Sequence, residues 1–269
     1  MTTLIKRLML SLTLLGLPLT ANAELSARDI MEKVRDLDDG DNATMDMTMI
    51  LVDADGDTRE RQIRSFRRDA PDNPEDTQSI MFFLGPANVE NTGFLTYDYD
   101  DGDKDDDQWL YLPALKNVKR IAAADKSGSF MGSDFTYADM SSPNIDDYRY
   151  EIMKETQVGE HAVWQILATP TNDDEIERTG YSKSVFFVRQ DNFVIIRAVN
   201  WLADSPRMKF MEVRELKQID GIWTPMEMVM TTKKGKKTEH ASVLRWQNVQ
   251  YNQDLDDELF TQRRLQRGL

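Results

Sequence analysis

Met45-Asp46-Met47-Thr48-Met49 and Met226-Glu227-Met228-Val229-Met230 place methionine at every second position, the period that puts side chains on one face of a β-strand. Six unbranched, polarizable side chains therefore share faces on two strands. Such side chains fill irregular space and accept apolar partners of varying shape, so one reading of these strands is the wall of a cavity for a flexible, lipid-like ligand. The other reading is an ordinary sheet core, which alternating apolar residues also build. Both demand a largely β protein.

Strand-length runs lie at 43–52, 58–68, 78–84, 93–99, 108–112 and 117–122, separated by Gly, Pro, Asn and Asp, the punctuation of an antiparallel meander. Seven more runs occupy 148–154, 160–169, 181–189, 193–202, 207–218, 222–232 and 238–250. Ahead of them, residues 26–37 read as a helix, with Ser26 as N-cap, Asp29 in the first turn and Ile30, Val34 and Leu37 at helical spacing. Residues 123–146 break the strand rhythm with Ala122-Ala123-Ala124, Gly128, Gly132 and Ser141-Ser142-Pro143-Asn144; they read as a long, partly helical insertion. The chain ends in a polar tail with a short turn around Leu255 to Leu265. No repeat of 20 to 50 residues and no Ser/Gly-rich linker divides it. About a dozen strands with one early helix and one insertion predict a strongly curved sheet or partly open barrel, with helix and insertion against its concave face. A fully covered face is a core, and an incompletely covered one is a pocket.

The N-terminus reads as a secretory signal, with Lys6 and Arg7 ahead of an apolar run from Leu8 to Leu19 and the small residues Ala21-Asn22-Ala23. Residues 1–23 are expected to be cleaved, leaving one domain over 24–269 that starts at Glu24. The apolar run is too short to span a bilayer, and no later segment reaches the roughly 18 to 20 apolar residues a membrane helix needs. A soluble protein of the bacterial periplasm is expected. The absence of cysteine removes a lipid-anchored mature terminus and any disulfide. With 47 acidic against 33 basic residues and a formal net charge of −14, binding to nucleic acid and stable attachment to anionic membranes are disfavoured. A monomer is expected.

Chemistry-bearing motifs are scarce. Asp53-Ala54-Asp55-Gly56-Asp57 and the run Asp98 to Asp107 cluster carboxylates as a calcium loop does, but the twelfth position from Asp98 is Trp109 and the first cluster lacks the required order. Both are expected to be hairpin turns between strands, with Asp-Gly supplying the positive φ. The only histidines, His161 and His240, sit at strand starts and read as solvated residues. No G-x-S-x-G elbow or H-E-x-x-H pair nominates a hydrolase, so no enzyme activity, cofactor or metal is expected. Lys233-Lys234-Gly235-Lys236-Lys237 reads as a charged hairpin tip that keeps an edge soluble, or as a docking point for an anionic partner surface.

The most distinctive segment runs Trp109-Leu110-Tyr111-Leu112-Pro113, then Arg120, then Gly132-Ser133-Asp134-Phe135-Thr136-Tyr137-Ala138-Asp139. This series resembles the bacterial outer-membrane lipoprotein-sorting protein family, the LolA-like proteins associated with RND-type membrane transporters. Gln218-Ile219-Asp220-Gly221-Ile222-Trp223-Thr224-Pro225 and Leu255-Asp256-Asp257-Glu258-Leu259-Phe260-Thr261 extend the resemblance over nearly the whole mature chain. It implies a mainly β (α+β) fold, a half-open antiparallel β-barrel of about 11–13 strands whose concave face is covered by helices. It also implies a hydrophobic interior that shelters acyl chains of a lipoprotein or lipid. An inner-membrane RND-type transporter and an outer-membrane acceptor are the partners it brings with it.

The expectation is a non-catalytic periplasmic carrier or chaperone. Its alternative is an accessory or sensor module that docks on an RND-type transporter without lipid cargo. Met45, Met47, Met49, Phe82, Leu84, Trp109, Tyr111, Met226, Met228 and Met230 are expected as ligand-binding wall residues, with Phe130, Met131 and Phe135 as their cover. The face assignment is least determined at Ile80-Met81-Phe82-Phe83-Leu84, which is apolar on both sides.

Overall fold

The computed structural model describes residues 24–269 apart from Asp103; the expected signal peptide lies outside the described residues. Helix α1, Ala27–Arg35, is followed by β1 Asn42–Val52, β2 Thr58–Ala70, β3 Asn73–Gly85, β4 Gly93–Asp98, β5 Asp107–Leu112 and β6 Asn117–Arg120. A segment of 3₁₀ turns occupies residues 123–147. Then come β7 Tyr148–Val158, β8 His161–Pro170, helix α2 Asp173–Thr179, β9 Tyr181–Arg189, β10 Ile195–Leu202, β11 Arg207–Ile219, β12 Ile222–Lys234, β13 Lys237–Tyr251 and helix α3 Gln262–Arg267. All thirteen strands form one antiparallel sheet in the order β6-β5-β4-β3-β2-β1-β13-β12-β11-β10-β9-β8-β7.

The sheet is open: β6 and β7 are its two edges. Its strands make two meanders, β1–β6 and β7–β13, in which each strand pairs with its chain neighbour. They meet where β1 pairs with β13. All thirteen expected runs are strands. Helix α1 begins with a reciprocal cap, in which the Ser26 hydroxyl accepts from the Asp29 amide and the Asp29 carboxylate accepts from the Ser26 amide. Asp53–Asp57 is the β1–β2 turn, with the Asp53 carboxylate accepting from the Asp55 and Asp57 amides. The Lys233–Lys237 run is the β12–β13 hairpin, with Gly235 at positive φ.

Both faces of the sheet are covered. Met47, Ile63, Phe83, Phe94, Leu110, Met230 and Leu244 are packed with Phe130 and Phe135 of the 123–147 segment on what we call the methionine face. Helix α1 lays Ala27, Ile30 and Met31 on Ile166 and Val188. Ile166 shares that face, because the register runs Ile166, Phe186, Ala198, Met211, Met230 across five strands. On the opposite face, Ile80, Phe82 and Leu95 are buried under Leu259, Phe260 and Leu265 of the C-terminal turn and α3. Gly93 permits this approach, since a Cβ there would lie 2.6 Å from Leu265 Cδ1 and 3.2 Å from its carbonyl oxygen.

Two features depart from the sequence reading. Helix α2 was not expected; its signals are the Asn172 cap, three acidic residues in the first turn and Gly180 in the left-handed conformation after it, with too few apolar residues to show a helical period. The C-terminal tail is a packing element, with Leu265 fully buried.

Candidate functional site

Register places the two methionine strands side by side with only β13 between them. Met49 and Met228 both face Leu244, and Leu51 and Met230 both face Ser242. Strands in a sheet lie about 4.8 Å apart, so the methionines of β1 and β12 form one patch about 10 Å across. Met47, Met49 and Met230 are buried and Met228 is half-buried. Met45 is half-buried beside Ala43, Ile222 and Tyr251, and Met226 is half-buried at an irregularity of β12, where the pairing with β11 passes from Glu227 to Pro225. The patch also takes in Met81, Met211, Met131 and Met140; Met81 and Met211 have no methionine two residues away and so gave no alternation to read.

Four expected wall residues face the other way. Phe82, Trp109 and Tyr111 belong to the cluster beneath α3, and Leu84 is 43% exposed. The reason is parity: Ser65 pairs with Met81, Met81 with Phe94 and Phe94 with Leu110, which puts the odd residues of β3 and the even residues of β4 and β5 on the methionine face. Phe83, Phe94 and Leu110 fill the places expected of Phe82 and Trp109.

The cover is the 123–147 segment. Met131 and Gly132 are consecutive left-handed residues, φ 51° and 77°, and this tight turn drives Phe130 inward. Phe130 is fully buried, its ring centroid 5.0 Å from Phe94, 5.6 Å from Tyr137 and 6.4 Å from Phe83. Phe135 is buried beside it and Met131 half-buried. In this closed arrangement the methionine face is a packed interior.

Polar bonds fix the cover. The buried Asp134 carboxylate accepts from Thr232 Oγ1 at 2.5 Å and Ser242 Oγ at 2.7 Å and pairs with His240 Nδ1 at 2.6 Å. The Asp134 amide donates to Ser242 Oγ at 2.9 Å. His240 is therefore not the solvated residue expected; it follows Ser242 by alternation onto the covered face. His161 is exposed at the start of β8. Asp139 accepts from the Tyr181 hydroxyl at 2.9 Å and the Thr136 amide at 2.7 Å. Arg61 donates to the Met131 carbonyl, and Gln108 Nε2 donates to the Tyr137 carbonyl at 2.9 Å. Burial pushes the Tyr181 phenol up, and Asp139 beside it adds to the shift.

A separate cleft of about 1200 Å³ lies where the Asp98–Asp106 loop, the end of α1 and α2 converge. Acidic residues in its lining outnumber the basic ones, which are Arg35, Arg67, Lys104, Lys126 and Arg178. Burial, and then Asp106 nearby, push the Asp98 carboxyl up to about 7, although the Ser142 amide donates to it at 2.7 Å. Lys126, 1% exposed, donates to the Asp106 carbonyl at 2.9 Å. Among the described residues no group of three or more His, Asp or Glu is placed to hold a metal ion, and no helix is long and apolar enough to cross a membrane.

Among solved structures, the chain is similar to a DUF1329 family protein from Desulfovibrio piger, with 26% identity, a TM-score of 0.79 and coverage of 89% of this chain and 97% of that one. It is similar to a protein from Vibrio parahaemolyticus described as an outer membrane lipoprotein-sorting protein domain, with 28% identity, a TM-score of 0.79 and coverage of 89% and 98%. A LolA superfamily protein from Nitrosomonas europaea shares the fold at 17% identity, a TM-score of 0.66 and coverage of 88% and 98%. No curated protein matches the chain significantly. A model of a family described as uncharacterized proteins matches residues 75–267, more than half of the chain; the chain belongs to that family and has the LolA-like fold.

Proposed function

We propose that the protein is a non-enzymatic periplasmic carrier that shelters acyl chains of a lipid or lipoprotein on its methionine face, beneath the 123–147 segment. The observation that carries this reading is the cover itself. Six methionines of the sheet and several aromatic residues are closed by a segment that adds Met131 and Met140 and sits on the sheet without being a strand of it, and a buried carboxylate ties it down. The name borne by the Vibrio relative, at 28% identity, points the same way, as do the signal-like residues of the N-terminus.

Each buried methylene is worth about 0.8 kcal/mol, so a 16-carbon chain yields on the order of 12 kcal/mol before the costs of association. Release is then the hard step for a carrier. Pliable methionines tolerate chains of varied shape, and a cover that must be lifted and re-laid offsets part of the gain. In this reading an inner-membrane transporter of the RND type and an outer-membrane acceptor are the donor and receiver.

The test is mass spectrometry of lipids extracted from protein purified under native conditions, together with titration of a fluorescent fatty-acid probe. One acyl ligand per chain is the expected result. No extractable lipid and no probe binding at micromolar concentration would sink the carrier reading, and co-purification of a lipid-free complex with a transporter would favour an accessory module.

A further inference from the structure

Lys209 stands on the methionine face of β11, two residues from Met211, paired with Asn200 on one side and Thr232 on the other. It is 8% exposed. Among the described residues its ammonium makes one hydrogen bond, a long one of 3.4 Å to the Tyr181 hydroxyl, lies 5.3 Å from the centroid of the Tyr181 ring, and forms no ion pair. An ammonium carries three donors, and a buried charge without a close partner is unfavourable. The residues around it are polar without being charged: Asn200 and Ser184 are buried in register beside it. A lysine retained in such a place asks for an anion.

The negative charges nearest in effect are Asp134 and Asp139, which favour the charged lysine while burial disfavours it more strongly. Both belong to the cover. Neither touches Lys209: Asp134 is committed to Thr232, His240 and Ser242, and Asp139 reaches the lysine only through the shared Tyr181 hydroxyl. Lifting the cover removes both carboxylates together. What is left is a cation, a tyrosine hydroxyl and a row of small polar side chains at one end of an apolar face, about 7 Å along the strand from Met211.

We propose that Lys209, with Tyr181 and Thr232 beside it, is a headgroup site that takes the anionic group of an amphiphile whose acyl chain lies along Met211, Met228 and Met230. With the cover laid on the sheet, Asp139 and Asp134 supply negative charge to Lys209 without touching it. The inference rests on the carrier reading and narrows it: the cargo bears a negative charge at the head of its chain, as a fatty acid does with a carboxylate and a phospholipid with a phosphate.

The test is competition against a fluorescent acyl probe by palmitate, hexadecyl phosphate and hexadecanol, which share a 16-carbon chain, and by acetate and inorganic phosphate, which lack it. For the purified protein the two anionic amphiphiles should compete about tenfold more strongly than hexadecanol, the order of one charge-assisted hydrogen bond. Acetate and phosphate should not compete at matching concentrations. Palmitate ahead of hexadecyl phosphate assigns a carboxylate headgroup, and the reverse assigns a phosphate. Lys209→Met should bring the ratio of anionic to neutral competitor close to one, and Lys209→Arg should keep it well above one. Equal competition by all three long-chain compounds, or a preference that survives in Lys209→Met, overturns the headgroup site and leaves the carrier reading standing. Displacement by inorganic phosphate alone overturns the amphiphile. Failure of the probe to bind at all overturns both. The ratio measured on the unmutated protein decides the matter even if Lys209→Met does not fold.

Discussion

Replacing Asp134 with alanine should detach the cover from the sheet. The carboxylate is 4% exposed and engages three side chains at 2.5 to 2.7 Å. Hydrogen bonds to a charged group contribute about 1.5–3 kcal/mol each, and contributions within one cluster are not additive. The expected loss is about 3–5 kcal/mol, a large share of the stability of an ordinary domain. Part of that loss is local, because Thr232, His240 and Ser242 can turn to water once the segment lifts. Urea unfolding gives the total, and amide hydrogen exchange locates it: residues 129–140 should lose protection while β1 and β13 keep theirs. Asp134→Asn, which retains an accepting oxygen but adds two donors, should fall between the two. A loss under about 1 kcal/mol with unchanged exchange across 129–140 would refute the claim that this carboxylate is the tie. So would a loss spread evenly over the sheet.

Gly93→Ala should cost about 1–3 kcal/mol through the clash with Leu265, and combining it with Leu265→Ala should cost less than the two single changes added together, read by urea unfolding of all three variants. Asp98→Asn should gain stability over the parent as pH rises: a carboxyl raised in the folded state binds a proton that the unfolded chain has released, so wild-type stability falls between about pH 4 and 7 and then levels. At about 1.4 kcal/mol per unit the difference at pH 8 has a ceiling of about 4 kcal/mol, and a pH-independent difference would contradict the assignment. Ser26→Ala should cost about 1 kcal/mol by opening the cap of α1, measurable as a shift in urea midpoint. Glu175→Ala should cost about 2–3 kcal/mol, because it removes the partner of the part-buried Arg178, now bonded to Glu175 at 2.6 and 2.8 Å; a change below 1 kcal/mol in the same assay would show that the pair does not hold α2.

The strands were legible because each is a strand-length run bounded by turn residues, and the methionine alternation identified a real shared face. What the residues could not supply was parity where both sides are apolar. Met81, Phe82, Phe83 and Leu84 offer no polar residue to mark the outside, so only the pairing of Ser65 with Met81 decides that Phe83 faces the methionines and Phe82 faces α3. Trp109 and Tyr111 were misplaced for the same reason. His240 was obscured by the lysines before it, although alternation from Ser242 and the pairing of Ser242 with Met230 would have turned it inward. Asp134 lay in plain view within Gly-Ser-Asp-Phe, but its partners are 98 to 108 residues away, a relation no local pattern encodes. Lys209 was hidden because a lysine between Met208 and Phe210 reads as the solvent side of a strand.

The two meanders give the sheet an uneven history of assembly. Within each, every strand pairs with the next along the chain, so hairpins can close over short loops at low entropic cost. The β1–β13 pairing joins segments some two hundred residues apart, and it is there that Met47 and Met49 come beside Leu244 and, across it, Met228. Neither half alone possesses the apolar trough: it comes into being at the junction of the halves. A chain cut within the 123–147 segment would separate the molecule into the two units that must find each other, and would make the recovery of amide protection in β1 and β13 a direct readout of their docking.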